Sequence, residues 1–199
     1  MTQQPTTAQR VRAAALALFA ERGYHGTGIR QLADAAGLSS ASLYHYMGTK
    51  EDLLVDLMRS SLTGLVDAGS AIVADPGLGT RERLEALVAL HVRTHAAAPD
   101  ETRVVDDEVR ALSAPARREV IALRDRYEQL WQDSIEAGVA DAAFQVDDPA
   151  LARRALLEMC SGVARWWTPE GPLGLDALAG EYAALALRLL GARGSRAPD

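Results

Sequence analysis

The chain of 199 residues contains a single cysteine, Cys160. One cysteine cannot form an intramolecular disulfide, and neither paired cysteines nor a cluster of cysteine and histidine is present to hold structural zinc. We therefore expect a buried, unreactive thiol, and the sequence predicts neither a metal nor another cofactor.

Long apolar runs are also missing. Residues 13–20 are apolar and follow Arg10 and Arg12 as the core of a signal peptide would, but Glu21 and Arg22 come directly afterwards. No segment reaches the length needed to cross a bilayer. These features predict a cytoplasmic protein with no membrane partner.

Sustained apolar and polar alternation, the pattern of a half-buried strand, does not occur. Apolar residues instead recur at helical spacing between glycine and proline stops, from Val11 to Phe19 in the first case. The longest pattern runs from Val120 to Ile135 and is opened by Pro115. The expected fold is all-α with about nine helices.

Sequence motifs of the common enzyme classes are absent as well. We find no G-x-S-x-G elbow, no P-loop, no G-x-G-x-x-G after a strand and no H-E-x-x-H. His91 and His95 share a helical face at a spacing that can hold a metal, but Val92 follows His91 where a zinc protease has its glutamate. Residues 106–108 are acidic and are more typical of a solvated helix face than of a catalytic pair. We expect a protein that is not an enzyme.

The net charge of −6 argues by itself against binding to nucleic acid, but the charge is unevenly distributed. Residues 1–50 hold five basic and two acidic side chains, a net charge of +3, which leaves −9 on residues 51–199. A basic N-terminal part on an acidic body is typical of a local DNA-facing surface.

Residues 27–50 have the pattern of a helix-turn-helix. Thr27 is the predicted N-cap of a helix that reaches Ala36, and Gly37 stops it. Ser39 or Ser40 then caps a second short helix that ends at Tyr46 or Met47. In a motif of this kind the second helix lies in the major groove with its N-terminal side chains toward the bases.

The second helix of this motif is polar around one apolar residue, Leu43. Its polar side chains are Ser39, Ser40, Ser42, Tyr44, His45 and Tyr46. A helix so short gains little from burial in a core, so these donors are expected to face phosphates and bases. Lys50 begins the next helix and is expected beside the groove as a mobile point charge.

Residues 10–55 resemble the DNA-binding region of the TetR/AcrR family, whose pattern runs F-x-x-x-G-x-x-x-T and then I-A-x-x-A-G-x-x-x-x-x-L-Y-x-Y-F-x-x-K-x-x-L. The matching residues are Phe19, Gly23, Thr27, Ala33, Ala36, Gly37, Leu43, Tyr44, Tyr46, Lys50 and Leu53. Met47 replaces the usual phenylalanine, and Leu32 stands where isoleucine is common. The resemblance implies a transcriptional regulator that binds operator DNA.

Carried over by position, the resemblance implies two sets of DNA contacts. Phosphates would be bound by Thr27, Tyr44, Tyr46 and Lys50, and base edges would lie near Ser39, Ser40, Ala41 and His45. Other interpretations stay open: Tyr44 can pack between helices, His45 can be merely solvated, and Arg30 is as typical of a surface charge as of a phosphate contact.

The resemblance also implies a homodimer formed through the last two helices, at about 148–167 and 175–190. The alanines of the final helix allow close packing there. Two-fold symmetry would place the reading helices about 34 Å apart, one DNA turn, over a near-palindromic operator. The expected domains are a DNA-binding domain at 1–50, a ligand-binding and dimerisation domain at 51–191, and a flexible tail at 192–199.

The segment 163–173, with its Arg-Trp-Trp and Gly-Pro-Leu, resembles TetR-type repressors that sense acyl-CoA thioesters and control lipid or steroid catabolism. The resemblance implies that Arg165 meets the CoA phosphates or the thioester carbonyl. The tunnel for the acyl chain would be lined by Trp131, Tyr127, Met159 and Leu123, with Glu108 and Trp166 as further ligand residues. The alternatives stay open: the tunnel residues can be ordinary core of a helical bundle, and the segment 163–173 can serve dimer packing. Glu108 can pair with Arg124 or Arg165 at a pocket mouth. Trp166 and Trp167 point about 100° apart on a helix, so one of them is expected in the dimer seam.

The sequence thus predicts a ligand-responsive repressor, with the helix from Lys50 to about Asp75 as the lever between DNA and effector. Two alternatives remain. One is a regulator of a multidrug efflux gene that senses hydrophobic drugs. The other is a DNA-binding protein or helical adaptor without any small-molecule effector.

Overall fold

A computed structural model describes residues 4–192 of the chain, and within that range all regular structure is helical. The helices are α1 (Thr7–Gly26), α2 (Ile29–Ala36), α3 (Ser40–Met47), α4 (Lys50–Ala74), α5 (Thr80–Ala97), α6 (Pro99–Asp107), α7 (Ala114–Ala140), α8 (Pro149–Ser161) and α9 (Leu175–Leu189), with 3₁₀ turns at Glu108–Ala111 and Gly162–Arg165. The predicted all-α fold is confirmed. Residues 193–199, nearly all of the predicted tail, lie outside the described range.

The helices form two compact units. The first extends to Thr63 and also includes Asp100–Leu123, and the second comprises Gly64–Pro99 and the chain from Arg124 onward. Helices α4 and α7 are therefore each divided between the units. The domain boundary at residue 50 stays a prediction about function, since the first unit contains residues on both sides of it.

The core of the first unit is built from the apolar faces of its short helices. Phe19 of α1, Leu32 of α2, Leu43 of α3 and Leu54 of α4 are all buried in it. Gly37 ends α2 in the left-handed conformation, at φ 67° and ψ 40°, and its N–H donates to the carbonyls of Ala33 and Asp34. The predicted stop at Gly37 is confirmed.

The end of α1 is shaped by a second glycine. Gly23 has φ 72° and ψ 164°, a conformation that interrupts the helix and strains any residue with a Cβ. The interruption lets the Thr27 hydroxyl donate to the carbonyls of Gly23 and Leu18, at 2.9 and 3.2 Å. Thr27 therefore belongs to the end of α1, and its prediction as the N-cap of α2 is wrong. Gly28 occupies that position.

The core of the second unit centres on Trp131, whose side chain is completely buried on α7. Helix α5 packs along α9 over most of its length, and α8 contacts α5 as well. The α-helix α8 stops at Ser161 and continues as a 3₁₀ turn, so its predicted extension to Trp167 is wrong. The turn tightens because the N–H groups of Trp166 and Trp167 both donate to the carbonyl of Val163.

Among the residues that the structure describes, no helix is both long and apolar enough to cross a membrane.

Candidate nucleic-acid interface and effector site

Helix α3 is defined by its N-terminal cap and by two apolar side chains. The Ser39 hydroxyl accepts from the N–H of Ser42 at 3.1 Å, which selects Ser39 over Ser40 as the cap. Leu43 and Met47 are buried beneath the helix. All remaining side chains of α3 are therefore available on its outer side.

The structure leaves almost every predicted DNA contact of α3 in solvent. Ser39, Ala41, Ser42, Tyr44, His45 and Tyr46 are exposed, and Ser40 is half-buried. Tyr44 is 51% exposed and Tyr46 is 47% exposed, so packing between helices does not explain Tyr44. The His45 ring contacts the Tyr46 ring edge-on, with 5.3 Å between centroids. A surface of hydroxyls and one imidazole can donate to and accept from phosphates and base edges.

Thr27 and Lys50 occupy different surroundings. Thr27 is 1% exposed and its hydroxyl donates to two carbonyls of α1. The Lys50 ammonium donates to the carbonyls of Tyr24 and Thr27, both at 2.8 Å, and lies 4.2 Å from the centroid of the Tyr24 ring. Burial lowers the pKa of Lys50, and the charge of Glu108 opposes that shift. The prediction of Lys50 as a mobile charge is wrong, because its ammonium ties the start of α4 to the end of α1.

The predicted effector residues are divided between the two units. Leu123 is half-buried against the core of the first unit. Glu108 also belongs to the first unit, where its carboxylate lies close to Gly23 and interacts with Lys50. Tyr127 and Trp131 are buried in the second unit, and Met159 is half-buried against the same core.

The adjacent tryptophans after α8 have opposite environments. The indole N–H of Trp167 donates to the carbonyl of Leu173 at 2.8 Å, and its ring packs against the core of the second unit. Trp166 is 56% exposed, and Arg165 beside it is exposed as well. An open guanidinium next to an open indole can bind an anionic group and a flat ring together.

The two histidines of α5 lie in a buried polar cluster that the sequence did not predict. The Nδ1 of His91 is 3.2 Å from the Tyr127 hydroxyl, and its Nε2 is 3.0 Å from the Ser161 hydroxyl. The His95 Nδ1–H donates to the carbonyl of His91 at 2.9 Å, and the two imidazoles stack with 3.7 Å between centroids. Burial lowers the pKa of His91 well below its ordinary value and that of His95 to about 4, so both rings are neutral at pH 7.

The spacing of His91 and His95 was the only sequence signal for this cluster, since nothing marks Ser161. Across residues 4–192, no group of three or more potential metal ligands comes together. Cys160 is buried nearby in the same core, and burial raises the pKa of its thiol to about 12, as expected for an unreactive cysteine.

A surface groove of about 720 Å³ runs between α5 and α9. Its floor consists of small residues, including Ala89, Gly180 and Ala183, and Arg81 and Arg188 lie on its walls. None of the predicted effector residues lines this groove.

An all-helical chain with an exposed, capped reading helix after a glycine turn defines the class of helix-turn-helix DNA-binding proteins. The family model described as bacterial regulatory proteins, tetR family, matches residues 11–57, and the model described as tetracyclin repressor-like, C-terminal domain, matches residues 77–190. The chain belongs to the tetR family of bacterial regulatory proteins, and is accordingly a regulator rather than an enzyme.

Individual relatives agree with this assignment. The HTH-type transcriptional repressor KstR2 of Rhodococcus jostii is 37% identical over 175 residues, which cover 87% of this chain and 85% of the relative. The structure of the ketosteroid transcriptional regulator KstR2 of Mycobacterium tuberculosis has a TM-score of 0.85 at 29% identity, covering 94% of this chain and 95% of that one. The structure of AibR with isovaleryl coenzyme A and operator DNA has a TM-score of 0.81, covering 90% of this chain and 97% of that one; at 21% identity the likeness shows the fold alone.

Proposed function

We propose that the chain is a ligand-responsive transcriptional repressor that binds a palindromic operator as a homodimer and leaves it when a small molecule binds. The observation that carries the proposal is the outer side of α3, where hydroxyls and an imidazole are exposed around two buried apolar residues. The exposed polar side chains of such a helix are available to contact DNA, while its two apolar side chains only fix its position.

The proposed DNA contacts fall into two kinds. Ser39, Ser40, Ala41 and His45 lie at base edges in the major groove, and the hydroxyls of Ser42, Tyr44 and Tyr46 bind phosphates. Thr27 and Lys50 support this surface from behind, because their donors are already held by backbone carbonyls. Their contribution to operator binding is to fix where α3 lies on α1.

The proposed dimer forms through α8 and α9. Large apolar side chains are exposed on both helices: Leu151 is 63% exposed, and Leu185 and Leu189 are each 41% exposed. Exposed leucines concentrated on adjacent helices are typical of a surface that is covered in the assembled protein. Two-fold symmetry then matches the two reading helices to two half-sites one DNA turn apart.

The proposed effector is an acyl-CoA thioester. Arg165 supplies a guanidinium for the CoA phosphates and Trp166 an indole that can stack on the adenine, and both are open to solvent. The acyl group would reach Tyr127, Trp131 and Met159 in the apolar core of the second unit. The 37% identity to KstR2, a regulator named for ketosteroids, supports a lipid or steroid skeleton.

The experiment is fluorescence anisotropy of the full chain on DNA from its own upstream intergenic region, against a scrambled duplex and at several salt concentrations. We expect tight, salt-sensitive binding to the native duplex only, and release by one member of a panel of acyl-CoA thioesters at micromolar concentration. The variant His45→Ala should weaken operator binding about tenfold or more. Gln129→Ala, an exposed substitution on α7, is the control and should bind as wild type does.

Each alternative has a distinct outcome. Selective binding that no thioester disturbs, but that a hydrophobic drug reverses, would replace the CoA effector with the drug-sensing alternative. Selective binding that nothing reverses would indicate a regulator without a small-molecule effector. Equal binding of both duplexes, unchanged by His45→Ala, would contradict the role of α3.

A further inference from the structure

The cluster of His91, Tyr127 and Ser161 joins three helices of the second unit, and Ser161 is its half-buried member. His91 on α5 bridges the Tyr127 hydroxyl on α7 and the Ser161 hydroxyl at the end of α8, at 3.2 and 3.0 Å. Tyr127 and His91 are each only 4% exposed. Polar groups buried in an apolar core are destabilising unless every donor and acceptor is satisfied. A donor proton without an acceptor in this cluster therefore indicates a group that a ligand could bind.

The cluster holds one more donor than it can satisfy. Neutral His91 has one N–H and one lone pair, and each hydroxyl has one O–H. If Nε2 has the proton and donates to Ser161, Tyr127 donates to Nδ1 and the Ser161 proton is left over. If Nδ1 has the proton, Ser161 donates to Nε2 and the Tyr127 proton is left over. With either tautomer, one hydroxyl proton has no acceptor within the cluster.

A second donor lies beside the first. The indole N–H of Trp131 is fully buried and makes no hydrogen bond of normal geometry, and its interaction with the Tyr127 hydroxyl falls short of one. The Trp131 ring stands edge-on to the His91 ring, with 5.6 Å between centroids. A buried donor without a full hydrogen bond is destabilising and favours any ligand that supplies an acceptor. The cluster therefore holds one hydroxyl proton without an acceptor among its own members, and the weakly held N–H of Trp131 lies beside it.

We propose that the His91 cluster recognises an uncharged carbonyl oxygen on the carbon skeleton of the effector. This inference rests on the proposed function and adds the ligand chemistry that the second unit selects. The oxygen of a ketone has two lone pairs, which match the spare hydroxyl proton and the Trp131 N–H. A carboxylate or phosphate does not fit, because the imidazoles are neutral and a buried anion needs a paired cation.

The position of Tyr127 also connects this oxygen to helix α4. A Cβ added to Gly69 of α4 would lie 3.3 Å from Cε2 of Tyr127 and 2.9 Å from Cδ1 of Leu130, so the helix backbone lies directly on the tyrosine ring. A ligand that draws the Tyr127 hydroxyl toward its own oxygen therefore acts on a ring in direct contact with α4. The predicted lever helix would respond to the same group that selects the ligand.

The test compares two CoA thioesters that differ only in a ring ketone in place of a methylene group, 4-oxocyclohexanecarbonyl-CoA and cyclohexanecarbonyl-CoA. Their affinities for the full chain without DNA are measured by isothermal titration calorimetry. We expect the keto thioester to bind about tenfold tighter, and Tyr127→Phe and Ser161→Ala to reduce that ratio to about twofold or less. Ser134→Ala is the matched control, since the Ser134 hydroxyl is also buried but donates to the carbonyl of Leu130 within α7. It should keep the tenfold ratio.

Two results would overturn the inference while leaving a CoA effector intact: equal affinity of the two thioesters for the wild-type chain, or a ratio that survives both substitutions. If neither thioester binds, the proposed effector class has failed, and trans-1-decalone decides the inference separately. This free ketone should shift the imidazole ¹⁵N resonances of His91 in the wild-type chain and not in a Tyr127→Phe, Ser161→Ala double variant. Unchanged resonances in the wild-type chain would then overturn it.

Discussion

At the scale of single residues, the stacked histidines of α5 make the stability of the chain depend on pH. His95 has a pKa of about 4 in the folded chain against 6.5 for an ordinary histidine, because burial disfavours its charged form. Between these values the unfolded chain binds a proton that the folded chain excludes. The stability that neutral His95 contributes is therefore fully present above pH 6.5 and is lost as the pH falls toward 4. At pH 5 we expect His95 to lower the free energy of unfolding by about 2 kcal/mol.

Urea unfolding at pH 7.5 and pH 5, followed by circular dichroism, measures this difference. In His95→Asn the side-chain amide can still donate to the carbonyl of His91 but does not titrate, so the difference should shrink. His45→Asn is the control, since His45 is exposed on α3, and its pH dependence should follow the wild type. An undiminished loss of stability in His95→Asn would assign the effect to His91 or to other groups.

At the scale of helices, Thr27 distinguishes a structural role from a DNA contact. Its hydroxyl satisfies the carbonyls of Gly23 and Leu18 where α1 is interrupted. Thr27→Val keeps the shape but removes the buried hydroxyl that donates to these carbonyls, so we expect a loss of about 1–2 kcal/mol in the free energy of unfolding. Thr27→Ser keeps the hydroxyl and should retain most of the stability.

The measurement is urea unfolding of the three proteins, combined with operator binding at a temperature where all of them are folded. The structural role predicts that folded Thr27→Val binds operator within about threefold of wild type. If Thr27→Val has unchanged stability but a large loss of operator affinity, the result would contradict the structural role and support the phosphate contact that the family resemblance implies.

Local sequence patterns were sufficient to predict most helices, because a helix depends on near neighbours. The stop at Gly37 and the cap at Ser39 follow from residues within one turn. The cap of α2 was predicted wrongly because Gly23, four residues before Thr27, diverts the threonine hydroxyl toward α1. Gly28 is capped instead by the Gln31 side chain, which accepts from its N–H at 2.8 Å.

Long-range pairings in the candidate sites were not predictable from periodicity. His91 and Ser161 are 70 residues apart, and Lys50 is 26 residues from the Tyr24 carbonyl that it binds. The family pattern includes a lysine at position 50 but does not indicate which atoms its ammonium binds. The apolar stripe of α7 was visible in the sequence, but the stripe alone does not separate a pocket wall from ordinary core, and Leu123 and Tyr127 fall in different units.

At the scale of the whole molecule, charge and apolar exposure are separated along the chain. The excess of basic residues lies within the first 50 residues, while the exposed leucines of α8 and α9 lie in the acidic remainder. An acidic body repels DNA, so the affinity of one α3 helix for a half-site is small. Tight operator binding then requires a dimer that places two α3 helices on the same DNA. Operator binding should therefore depend on the surface formed by α8 and α9 although that surface touches no DNA.

A double substitution on α9, Leu185→Glu with Leu189→Glu, tests this dependence. Buried in a symmetric interface, each glutamate would need a paired cation, so we expect the dimer to dissociate to monomers at about 10 µM in sedimentation velocity. Ile121→Glu is the matched control, because Ile121 is also 41% exposed but lies on α7. It should remain a dimer.

The same double variant should bind a full operator no more tightly than a single half-site, because the monomer cannot contact both halves at once. The loss relative to wild type should reach about a hundredfold or more, as expected when linked binding is removed. Dimers that persist in the α9 variant, or dissociate in Ile121→Glu, would place the interface elsewhere on the chain. A monomeric variant with undiminished operator affinity would instead show that one reading helix suffices, and the palindromic operator would lose its physical reason.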